Sequence, residues 1–353
     1  MATMDDNDAT TMRAVVLSGP GPVENLELTR RPRPEPAPGW VRVRVEAAGL
    51  NRSELHTRLG LAEGVTFPRV PGIEATGTVD LDPDGILEPG RQVVAMMGGM
   101  GRTYDGGYAE YTVVPRAQLV PFRSDLPWET LGAVPETLQT AYGSLTTGLD
   151  LRPGQALLIR GGTSALGFAA TALAKEIGAT VLATTRGADR LAVLKEHGVD
   201  HPLVDDGRVA AQVRALLPQG VDAALELVGT PTLPDTLRAV RVHGTVCFTG
   251  MLSNQWTVPD FYPIGYLPSG VRLTAYSGDA ADLPAEVLQR FLDTMAAGGL
   301  SLGPVHVYPL EQVRAAHRDL EEGNRVGKLV LRTQPAPDPV SDPVSDPASA
   351  SAR

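Results

Sequence analysis

The segment Ile159-Arg160-Gly161-Gly162-Thr163-Ser164-Ala165-Leu166-Gly167 joins a predicted strand, Ala156–Arg160, to a predicted helix, Phe168–Ile177. Small residues in a turn of this kind let the backbone approach a pyrophosphate closely. The free N–H groups at the start of the helix and the positive end of its dipole then stabilise the bound charge. The segment therefore predicts a dinucleotide site where the strand meets the helix.

Within this turn, Gly162 and Gly167 match the first and third glycines of the motif G-x-G-x-x-G, and Ser164 takes the place of the second. We expect Thr163 and Leu166 to line the same site. The motif alone is a weak signal, and a glycine-rich turn without a ligand is the alternative. The flanking strand and helix, followed by a second strand, favour the cofactor site.

Five more apolar runs follow at the spacing of strands that alternate with amphipathic helices, which is typical of a parallel sheet. They are Thr180–Thr185, Pro202–Val204, Ala223–Val228, Thr245–Thr249 and Arg272–Tyr276. Together with the first strand they make six, which suits a doubly wound Rossmann sheet. The predicted fold class is therefore α/β, with a second unit of different texture before it.

That second unit lies before Pro135 and combines alternating strands with many turns. Val41-Arg42-Val43-Arg44-Val45 alternates as a half-buried strand does, and Ile73–Val79 is another predicted strand. After about Asp282 the sequence predicts a helix, a strand, a second helix and a final strand, Lys328–Arg332, that return to this unit. This second unit is predicted to be a mostly antiparallel β domain.

The predicted domains are residues 12–135 with 283–333 for the β unit, and residues 136–282 for the nucleotide-binding unit. Residues 1–11 and 334–353 are expected to be disordered, because segments so polar bury too little apolar surface to offset their ordering entropy.

The composition excludes several classes of protein. The 353 residues are 42% hydrophobic, and 31 basic against 41 acidic side chains leave a charge of −10, which repels nucleic acid and anionic membranes. No apolar run is long enough to span a bilayer, and the N-terminus has no signal-peptide pattern. Cys247 is the single cysteine, so neither a disulfide nor a multi-cysteine zinc site can form. We expect a cytoplasmic protein.

The end of the predicted strand Thr180–Thr185, the second of the parallel sheet, indicates which dinucleotide binds. A carboxylate there would hold the ribose 2′-hydroxyl of NAD, but the sequence has no acid at that position. Thr184, Arg186 and Arg190 could hold a 2′-phosphate instead, which predicts NADP(H) as the cofactor. The alternative is that both arginines are solvated surface charges and that Asp189 simply begins the next helix.

Ligands of such sheets lie at the carboxyl ends of the strands, which adds candidate cofactor contacts. The fourth strand ends at Val228. The fifth strand ends at Thr249 and is followed by Gly250 and Met251, and the sixth ends at Tyr276 and is followed by Ser277. We expect Val228 on the adenosine side and the others near the nicotinamide.

Beyond these patterns, the sequence resembles the medium-chain dehydrogenase/reductase superfamily, and within it the zinc-independent quinone oxidoreductase branch that includes zeta-crystallin. The resemblance covers most of residues 12–332 and rests on several blocks in a fixed order. They are Ala48-Gly49-Leu50-Asn51-Arg52-Ser53-Glu54, Val70-Pro71-Gly72-Ile73-Glu74-Ala75-Thr76-Gly77, Gly106-Gly107-Tyr108-Ala109-Glu110-Tyr111, Thr140-Ala141-Tyr142-Gly143, residues 161–167, and Gly327-Lys328-Leu329-Val330-Leu331.

The resemblance implies a GroES-like catalytic domain, a Rossmann domain and an active site in the cleft between them. It also implies where zinc relatives carry their metal ligands. Asn51, Ile73 and Glu136 stand at those three places, and only one of them is a metal-ligand type. No metal is therefore expected, and hydrogen-bond donors must stabilise a developing oxyanion.

The resemblance also suggests catalytic side chains. Asn51 matches an asparagine whose amide reaches the nicotinamide ribose or the substrate oxygen, although a simple turn residue is the alternative. His56 stands where relatives have a proton-relay histidine or a tyrosine, and an ordinary surface histidine is equally compatible. Thr140 matches a threonine near the nicotinamide, or it is a core residue. Glu74 is expected to be a buried structural carboxylate, and Glu136 a first-turn acid.

These observations predict an NADPH-dependent, zinc-independent oxidoreductase that reduces a small apolar quinone or α,β-unsaturated carbonyl by hydride transfer in the cleft. An enoyl or alkenal reductase of one metabolic pathway is an alternative, and a non-catalytic NADPH-binding sensor or storage protein is another. The resemblance further implies a homodimer, formed through the edge of the sixth strand.

Overall fold

The computed structural model describes residues 10–323 and 325–334. Most of the two terminal segments that were predicted to be disordered lies outside these residues. At their inner ends, Thr11 begins a strand, and the Gln334 amide donates hydrogen bonds to the carbonyls of Val45 (2.8 Å) and Glu110 (3.1 Å). Ordered chain therefore extends slightly beyond both predicted boundaries.

The described strands fall into two blocks. The first block consists of the strands within residues 11–121 and 305–332, and the second of those within residues 156–275. The strands are β1 Thr11–Leu17, β2 Leu26–Pro32, β3 Trp40–Gly49, β4 Glu74–Leu81, β5 Gln92–Met96, β6 Tyr111–Pro115, β7 Leu119–Pro121, β8 Ala156–Arg160, β9 Thr180–Thr185, β10 His201–Val204, β11 Val221–Glu226, β12 Val240–Phe248, β13 Arg272–Ala275, β14 Val305–Pro309 and β15 Lys328–Arg332. The helices are α1 Arg52–Leu59, α2 Trp128–Leu131, α3 Pro135–Gly143, α4 Ala165–Ile177, α5 Leu191–Glu196, α6 Val209–Leu216, α7 Leu233–Ala239, α8 Pro263–Tyr266, α9 Ala285–Ala296 and α10 Val313–Glu322.

The second block forms a parallel sheet of six strands in the order β10-β9-β8-β11-β12-β13. Numbered within the block, this is the order 3-2-1-4-5-6 of a doubly wound sheet, which confirms the predicted Rossmann architecture. The order reverses between β8 and β11, and a crevice for a ligand opens at the carboxyl ends of the strands at such a reversal. The glycine turn follows β8 and therefore lies at this crevice.

The predicted strand bounds agree best where the pattern is purely apolar. β8 and β9 have the predicted bounds, and β11 begins two residues earlier than predicted and ends at Glu226. The largest difference is in β12, which begins at Val240 instead of Thr245. Val240 pairs with Val221 before a register shift, so an irregular first half with exposed residues precedes the apolar run that the sequence shows.

The first block forms a mostly antiparallel sheet in the order β14-β15-β3-β4-β5-β7, with β6 paired to β3. β14 and β15 pair in parallel, and β15 adds to β3, so the last strand of the described chain joins a sheet that begins near residue 40. β1 and β2 form a separate antiparallel pair. This is the predicted GroES-like, mostly antiparallel unit.

The largest apolar core connects the two blocks. It contains Val330 and Ala47 from the antiparallel sheet, Leu157 and Leu225 from the parallel sheet, and the buried Phe291 of α9. The helix α9 also forms an ion pair with α4, because Arg290 Nε lies 2.8 Å from a carboxylate oxygen of Glu176. The domain boundary at residue 282 stays a prediction.

A buried arginine fixes the end of β8. The Arg160 side chain is fully buried, and its guanidinium donates hydrogen bonds to Asp205 at 2.6 and 2.7 Å and to Asp235 at 2.7 Å. Asp205 follows β10 and Asp235 lies in α7. The residue that precedes the glycine turn therefore connects three elements of the parallel sheet's carboxyl edge.

We expect Arg160→Met to destabilise the protein by about 3 kcal/mol, because two carboxylates in a low-dielectric region lose their counter-charge. The measurement is the urea midpoint followed by circular dichroism. Arg208→Met is the matched control, since Arg208 is exposed and its ion pair among the described residues is with Asp206, two residues earlier; its free energy of unfolding should stay within about 0.5 kcal/mol of wild type. Equal midpoints for both variants would contradict the assigned role of Arg160.

Candidate active site

The glycine turn leaves no room for side chains at its first and third glycine positions. A Cβ on Gly162 would lie 2.7 Å from Cβ of Ala183, and a Cβ on Gly167 would lie 2.5 Å from the carbonyl oxygen of Gly162. The backbone of the turn is therefore packed directly on β9 and on itself. This close packing is what the motif needs to bring a helix N-terminus to a pyrophosphate.

Ser164 closes this turn in place of the middle glycine. Its hydroxyl donates to the carbonyl of Gly161 at 2.8 Å and accepts from the N–H of Gly167 at 3.0 Å, so it caps α4. Ala165 and Leu166 begin the helix, where backbone N–H groups have no partner within the helix. The turn thus fits the diphosphate of a dinucleotide even though one of its three glycines is missing.

The end of β9 supports the turn and carries the basic residues predicted for a 2′-phosphate. Thr184 is buried; its hydroxyl accepts from Gly161 N at 3.0 Å and its carbonyl from Gly162 N at 2.8 Å. Arg186 is exposed and donates to the carbonyl of Gly323, the C-cap of α10. Arg190 is half-buried beside Asp189. The Thr184 hydroxyl is thus engaged by the turn, whereas Arg186 lies at the surface.

The other predicted cofactor residues follow the carboxyl ends of β11, β12 and β13. Val228 N donates to the buried carboxylate of Glu226 at 2.8 Å, which fixes the turn after β11. A Cβ on Gly250 would lie 2.6 Å from Cα of Leu227, so these two strand ends are in close contact. The hydroxyls of Thr249 and Ser144 are 3.0 Å apart, and the Tyr276 hydroxyl donates to Asp282 at 2.9 Å. Met251 is half-buried and Ser277 is exposed.

The antiparallel sheet approaches the same crevice through its last strand. Gly327 N donates to the carbonyl of Thr163 at 3.2 Å, and Ser164 forms an isolated bridge with Gly327. The residue after Gly327 is Lys328, the first residue of β15. The glycine turn and the start of β15 therefore meet at this backbone contact.

Lys328 lies in a buried cluster of charged and polar side chains. Its ammonium is 2.8 Å from Glu74 Oε1, 2.5 Å from the Asn51 amide oxygen and 3.7 Å from Glu136 Oε2. Glu74 also accepts from Asn51 Nδ2 at 2.9 Å and from the N–H of Glu136 at 2.9 Å. Both atoms of the Asn51 amide thus have partners, and Glu74 is the buried structural carboxylate that its position predicts.

The charges in this cluster stabilise one another. Burial alone would lower the pKa of Lys328, but Glu74 and Glu136 outweigh burial and raise it, so the ammonium keeps its proton. Burial raises the pKa of Glu136, which Lys328 partly offsets. The Thr140 hydroxyl is 3.1 Å from the carboxylate of Glu136, which connects another predicted cofactor residue to the cluster.

Glu54 is a second buried carboxylate beside this cluster. It accepts from the N–H of Asn51 at 2.8 Å and from the N–H of Ile73 at 2.7 Å, and so joins the start of α1 to the segment that precedes β4. Burial raises the pKa of Glu54 to about 7, and the nearby charge of Glu74 adds to the shift. Glu54 therefore holds the Asn51 backbone while Lys328 and Glu74 hold its side chain.

His56 is buried on α1, two residues after Glu54. Its Nε2 is 3.1 Å from the amide oxygen of Asn254, and its ring centroid is 5.0 Å from that of Trp256. Burial lowers its pKa, the bond to Asn254 opposes this, and the positive charges of Arg52 and Arg102 lower it further. The predicted surface-histidine alternative does not hold, because the ring is enclosed by the loop after β12.

Some residues of this site have no clear signal in the sequence. Lys328 could have been noticed as a charged residue that opens an otherwise apolar strand, and Glu54 as an acid three residues after a helix N-cap. Nothing local marks Asn254 as the partner of His56, since their contact joins positions 198 residues apart.

The donor set does not favour a metal. Among the residues that the structure describes, no group of three or more His, Cys, Asp or Glu side chains could hold a metal ion. Asn51 and Glu136, which the resemblance places at two ligand positions of zinc relatives, both face the Lys328 ammonium. A fixed positive charge already occupies the place where these two side chains meet.

Two family models match the chain. The alcohol dehydrogenase GroES-like domain matches residues 37–124, and the zinc-binding dehydrogenase model matches residues 197–331. They cover the antiparallel unit and the second half of the parallel sheet with the closing strands. The chain belongs to the medium-chain dehydrogenase/reductase superfamily. Its relatives identify the branch.

The sequence is 27% identical to the synaptic vesicle membrane protein VAT-1 homolog of Rattus norvegicus, covering 93% of this chain and 85% of that protein. Among solved structures, a quinone oxidoreductase of Pseudomonas syringae pv. Tomato aligns with a TM-score of 0.82 at 25% identity, covering 91% of this chain and 99% of its own. These medium-chain relatives place the chain in the zinc-independent, quinone oxidoreductase-like branch.

Two other structures carry information on the cofactor. A mycobacterial protein complexed with NADPH aligns with a TM-score of 0.80 and 26% identity, covering 91% of this chain and 99% of its own. An NAD-dependent alcohol dehydrogenase aligns with a TM-score of 0.82 and 29% identity, covering 92% and 100%. Both use a nicotinamide dinucleotide, and the medium-chain fold with its glycine turn supports such a cofactor here.

The VAT-1 relatives are named for a vesicle membrane, which makes membrane spans relevant. Within residues 10–323 and 325–334, no helix has the length and apolar character needed to cross a bilayer. The longest is α4, with 13 residues.

We expect the buried Glu54 to make stability fall as the pH rises through the slightly acidic range. Its pKa is about 7 in the folded protein against 4.5 ordinarily, so between these values the folded state holds a proton that the unfolded chain has released. The loss is about 3 kcal/mol when complete, and Glu54→Gln should abolish it. The free energy of unfolding of wild type and variant is measured from pH 4 to pH 8.

The control for this measurement is Glu63→Gln, because Glu63 is exposed. This variant should follow the wild-type pH dependence. A pH dependence of Glu54→Gln that is parallel to wild type would show that Glu54 does not hold the extra proton.

Proposed function

We propose that this protein is an NADPH-dependent, zinc-independent reductase of a quinone or an α,β-unsaturated carbonyl compound. The observation that carries the proposal is the orientation of Asn51 by a buried lysine. Its amide oxygen accepts from Lys328, so only an N–H of the same amide is left to face a substrate. One N–H donates to Glu74, and the second is a hydrogen-bond donor for the oxygen of a carbonyl.

A donor of this type suits a conjugated carbonyl. Reduction of a quinone or enone places negative charge on the carbonyl oxygen in the transition state, and a preorganised N–H in a water-poor site stabilises that charge. Conjugation spreads this negative charge over several atoms, so the protein needs to stabilise the transition state less than it would for an isolated alcohol or ketone. The positive charge of Lys328 also polarises the amide that it holds, which strengthens the Asn51 N–H as a donor.

The residues at the crevice fit a reduced nicotinamide dinucleotide, which supplies a hydride when bound. The turn from Gly161 to Gly167 would hold its diphosphate at the start of α4. Arg186 is the exposed cation that follows β9, and the strand end carries no acid, which favours a 2′-phosphate over a free hydroxyl. The mycobacterial relative with NADPH supports this preference, and the NAD-dependent relative argues for testing it.

The structure argues against an imidazolium as the proton source. Burial and two neighbouring arginines lower the pKa of His56, so the ring is neutral at physiological pH. We therefore propose that His56 helps to position the loop after β12 and that solvent delivers the proton.

We also propose a homodimer and a cytoplasmic location. β13 is an edge strand whose only described strand partner is β12, and a second copy could pair with it in the symmetric way that removes an open edge. The acidic composition and the single buried cysteine suit a reducing compartment.

The test of function is NADPH oxidation by the purified protein over a panel of quinones, enals and enones. We expect turnover on members of the panel and a kcat/KM for NADPH about 100-fold above that for NADH. Arg186→Gln should lower this ratio about tenfold, because a charge-assisted hydrogen bond contributes about 1.5–3 kcal/mol. Arg208→Gln is the exposed control and should leave it unchanged.

Each negative result of this test points elsewhere. Tight NADPH binding with no turnover on any substrate would support the non-catalytic alternative. An NADPH to NADH ratio near one would overturn the NADPH preference, and stoichiometric zinc that activity requires would overturn the metal-independent reading.

The role of Lys328 has its own test. Lys328→Ala frees the Asn51 amide, and we expect kcat to fall about 100-fold while the dissociation constant for NADPH changes little. Added ethylammonium should restore part of kcat by filling the vacated space with a cation, which loss of structure alone would not allow. Lys195→Ala, at an exposed position, is the control. Unchanged kcat in Lys328→Ala would exclude a positioning role.

A further inference from the structure

Three segments meet around His56. α1 provides Ser53 and His56, which lie three residues apart and so share a helix face. The connection between β5 and β6 provides Arg102, whose guanidinium donates to the Ser53 hydroxyl at 2.6 Å. The loop after β12 provides Trp256, whose ring lies against His56.

One arginine of this region lacks an acidic partner. The ion pairs among the described residues include none for Arg102, and its buried Nε has no hydrogen-bond partner. Arg52 lies instead beside Arg186, because the Nη2 atoms of both approach the place of a Cβ on Gly323, and it belongs with the candidate 2′-phosphate site. Glu54, on the same helix, is turned away toward the backbone of Asn51 and Ile73.

The chain as a whole is acidic, with a net charge of −10, yet Arg102 has no acid beside it. The neutral hydroxyl of Ser53 offsets only part of the hydration that a partly buried guanidinium loses, so the position of Arg102 favours the arrival of an anion. The planar fork of an arginine matches the two oxygens of a carboxylate or a phosphate, and a cleft focuses the field of its charges on an approaching ligand.

Two aromatic rings beside these residues offer a surface on which a planar ligand can pack. The His56 and Trp256 rings are stacked at a tilt, with centroids 5.0 Å apart, and such flat surfaces pack well on a planar conjugated system. Asn51 lies five residues before His56 on the same segment, beside the charged cluster. A conjugated carbonyl near Asn51 would therefore have the two rings and Arg102 close to the same helix.

We propose that the natural substrate is an anionic conjugated carbonyl compound, with a carboxylate or a phosphate that binds Arg102. This inference rests on the proposed reductase function and adds the charge of its substrate. The reaction is unchanged: the hydride of NADPH goes to the β-carbon, a solvent proton goes to the α-carbon, and the anionic group takes no part in the bond changes. Arg102 acts as a specificity residue.

The test compares benzylideneacetone with its para-carboxylate and para-phosphonate derivatives, with NADPH as the reductant. We expect the wild-type kcat/KM to be at least tenfold higher for one charged derivative than for the neutral parent, and the derivative that gains more identifies the anion. Arg102→Gln should lower the ratio of charged to neutral kcat/KM about tenfold, because one charge-assisted hydrogen-bonded pair is lost. The ratio is the readout, so changes in the absolute rates of the variant do not matter.

Two further variants sharpen this comparison. Arg102→Lys keeps the charge but not the fork, and its ratio should lie between those of wild type and Arg102→Gln. Arg123→Gln removes an exposed arginine that has no ion pair among the described residues. Its ratio of charged to neutral kcat/KM should equal that of wild type. Raised salt should reduce the wild-type preference and leave that of Arg102→Gln nearly constant.

Binding is measured separately, so that failure of the inference and failure of the proposed function can be told apart. Isothermal calorimetry in the presence of NADP⁺ uses the saturated para-carboxylate and para-phosphonate compounds, which are the reduction products and whose reoxidation by NADP⁺ is strongly unfavourable. Weaker binding by Arg102→Gln supports the anion site even if no compound is turned over, in which case only the reductase proposal fails. Equal affinity of wild type and Arg102→Gln, or equal ratios in turnover, overturns the anion site.

Discussion

A buried ammonium determines the arrangement of the charged cluster around Asn51. Lys328 begins β15, and its charge is compensated at 2.8 Å by Glu74, which begins β4. Because a buried charge must keep its partner, these two strand ends cannot separate without a large cost in free energy. Asn51 is held between them, and its orientation follows from theirs.

The two sheets contribute different things to one crevice. The parallel sheet supplies a row of strand ends in the order that opens a ligand site, and close packing at Gly162 and Gly167 brings a helix start to it. The antiparallel sheet supplies the fixed polar groups. The backbone bond from Gly327 to Thr163 places them side by side, so the candidate cofactor site and the charged cluster share one scaffold.

The sequence predicted what depends on local patterns. The glycine turn, the strands β8 and β9 and the Rossmann order follow from short-range signals and from general rules of chain connection. The charged cluster depends on contacts between distant positions; Lys328 and Asn51 are 277 residues apart. Composition and spacing could not show which carboxylates a lysine meets, or that His56 would be enclosed by a loop of the other sheet.

The internal cation also limits how this scaffold could evolve toward a metalloenzyme. A cysteine at position 51 would face the Lys328 ammonium that the amide oxygen contacts now at 2.5 Å, and an incoming divalent ion would be repelled by it. Loss of Lys328 first would leave Glu74 buried without its counter-ion. A metal site at this position would therefore require substitutions at both residue 51 and residue 328.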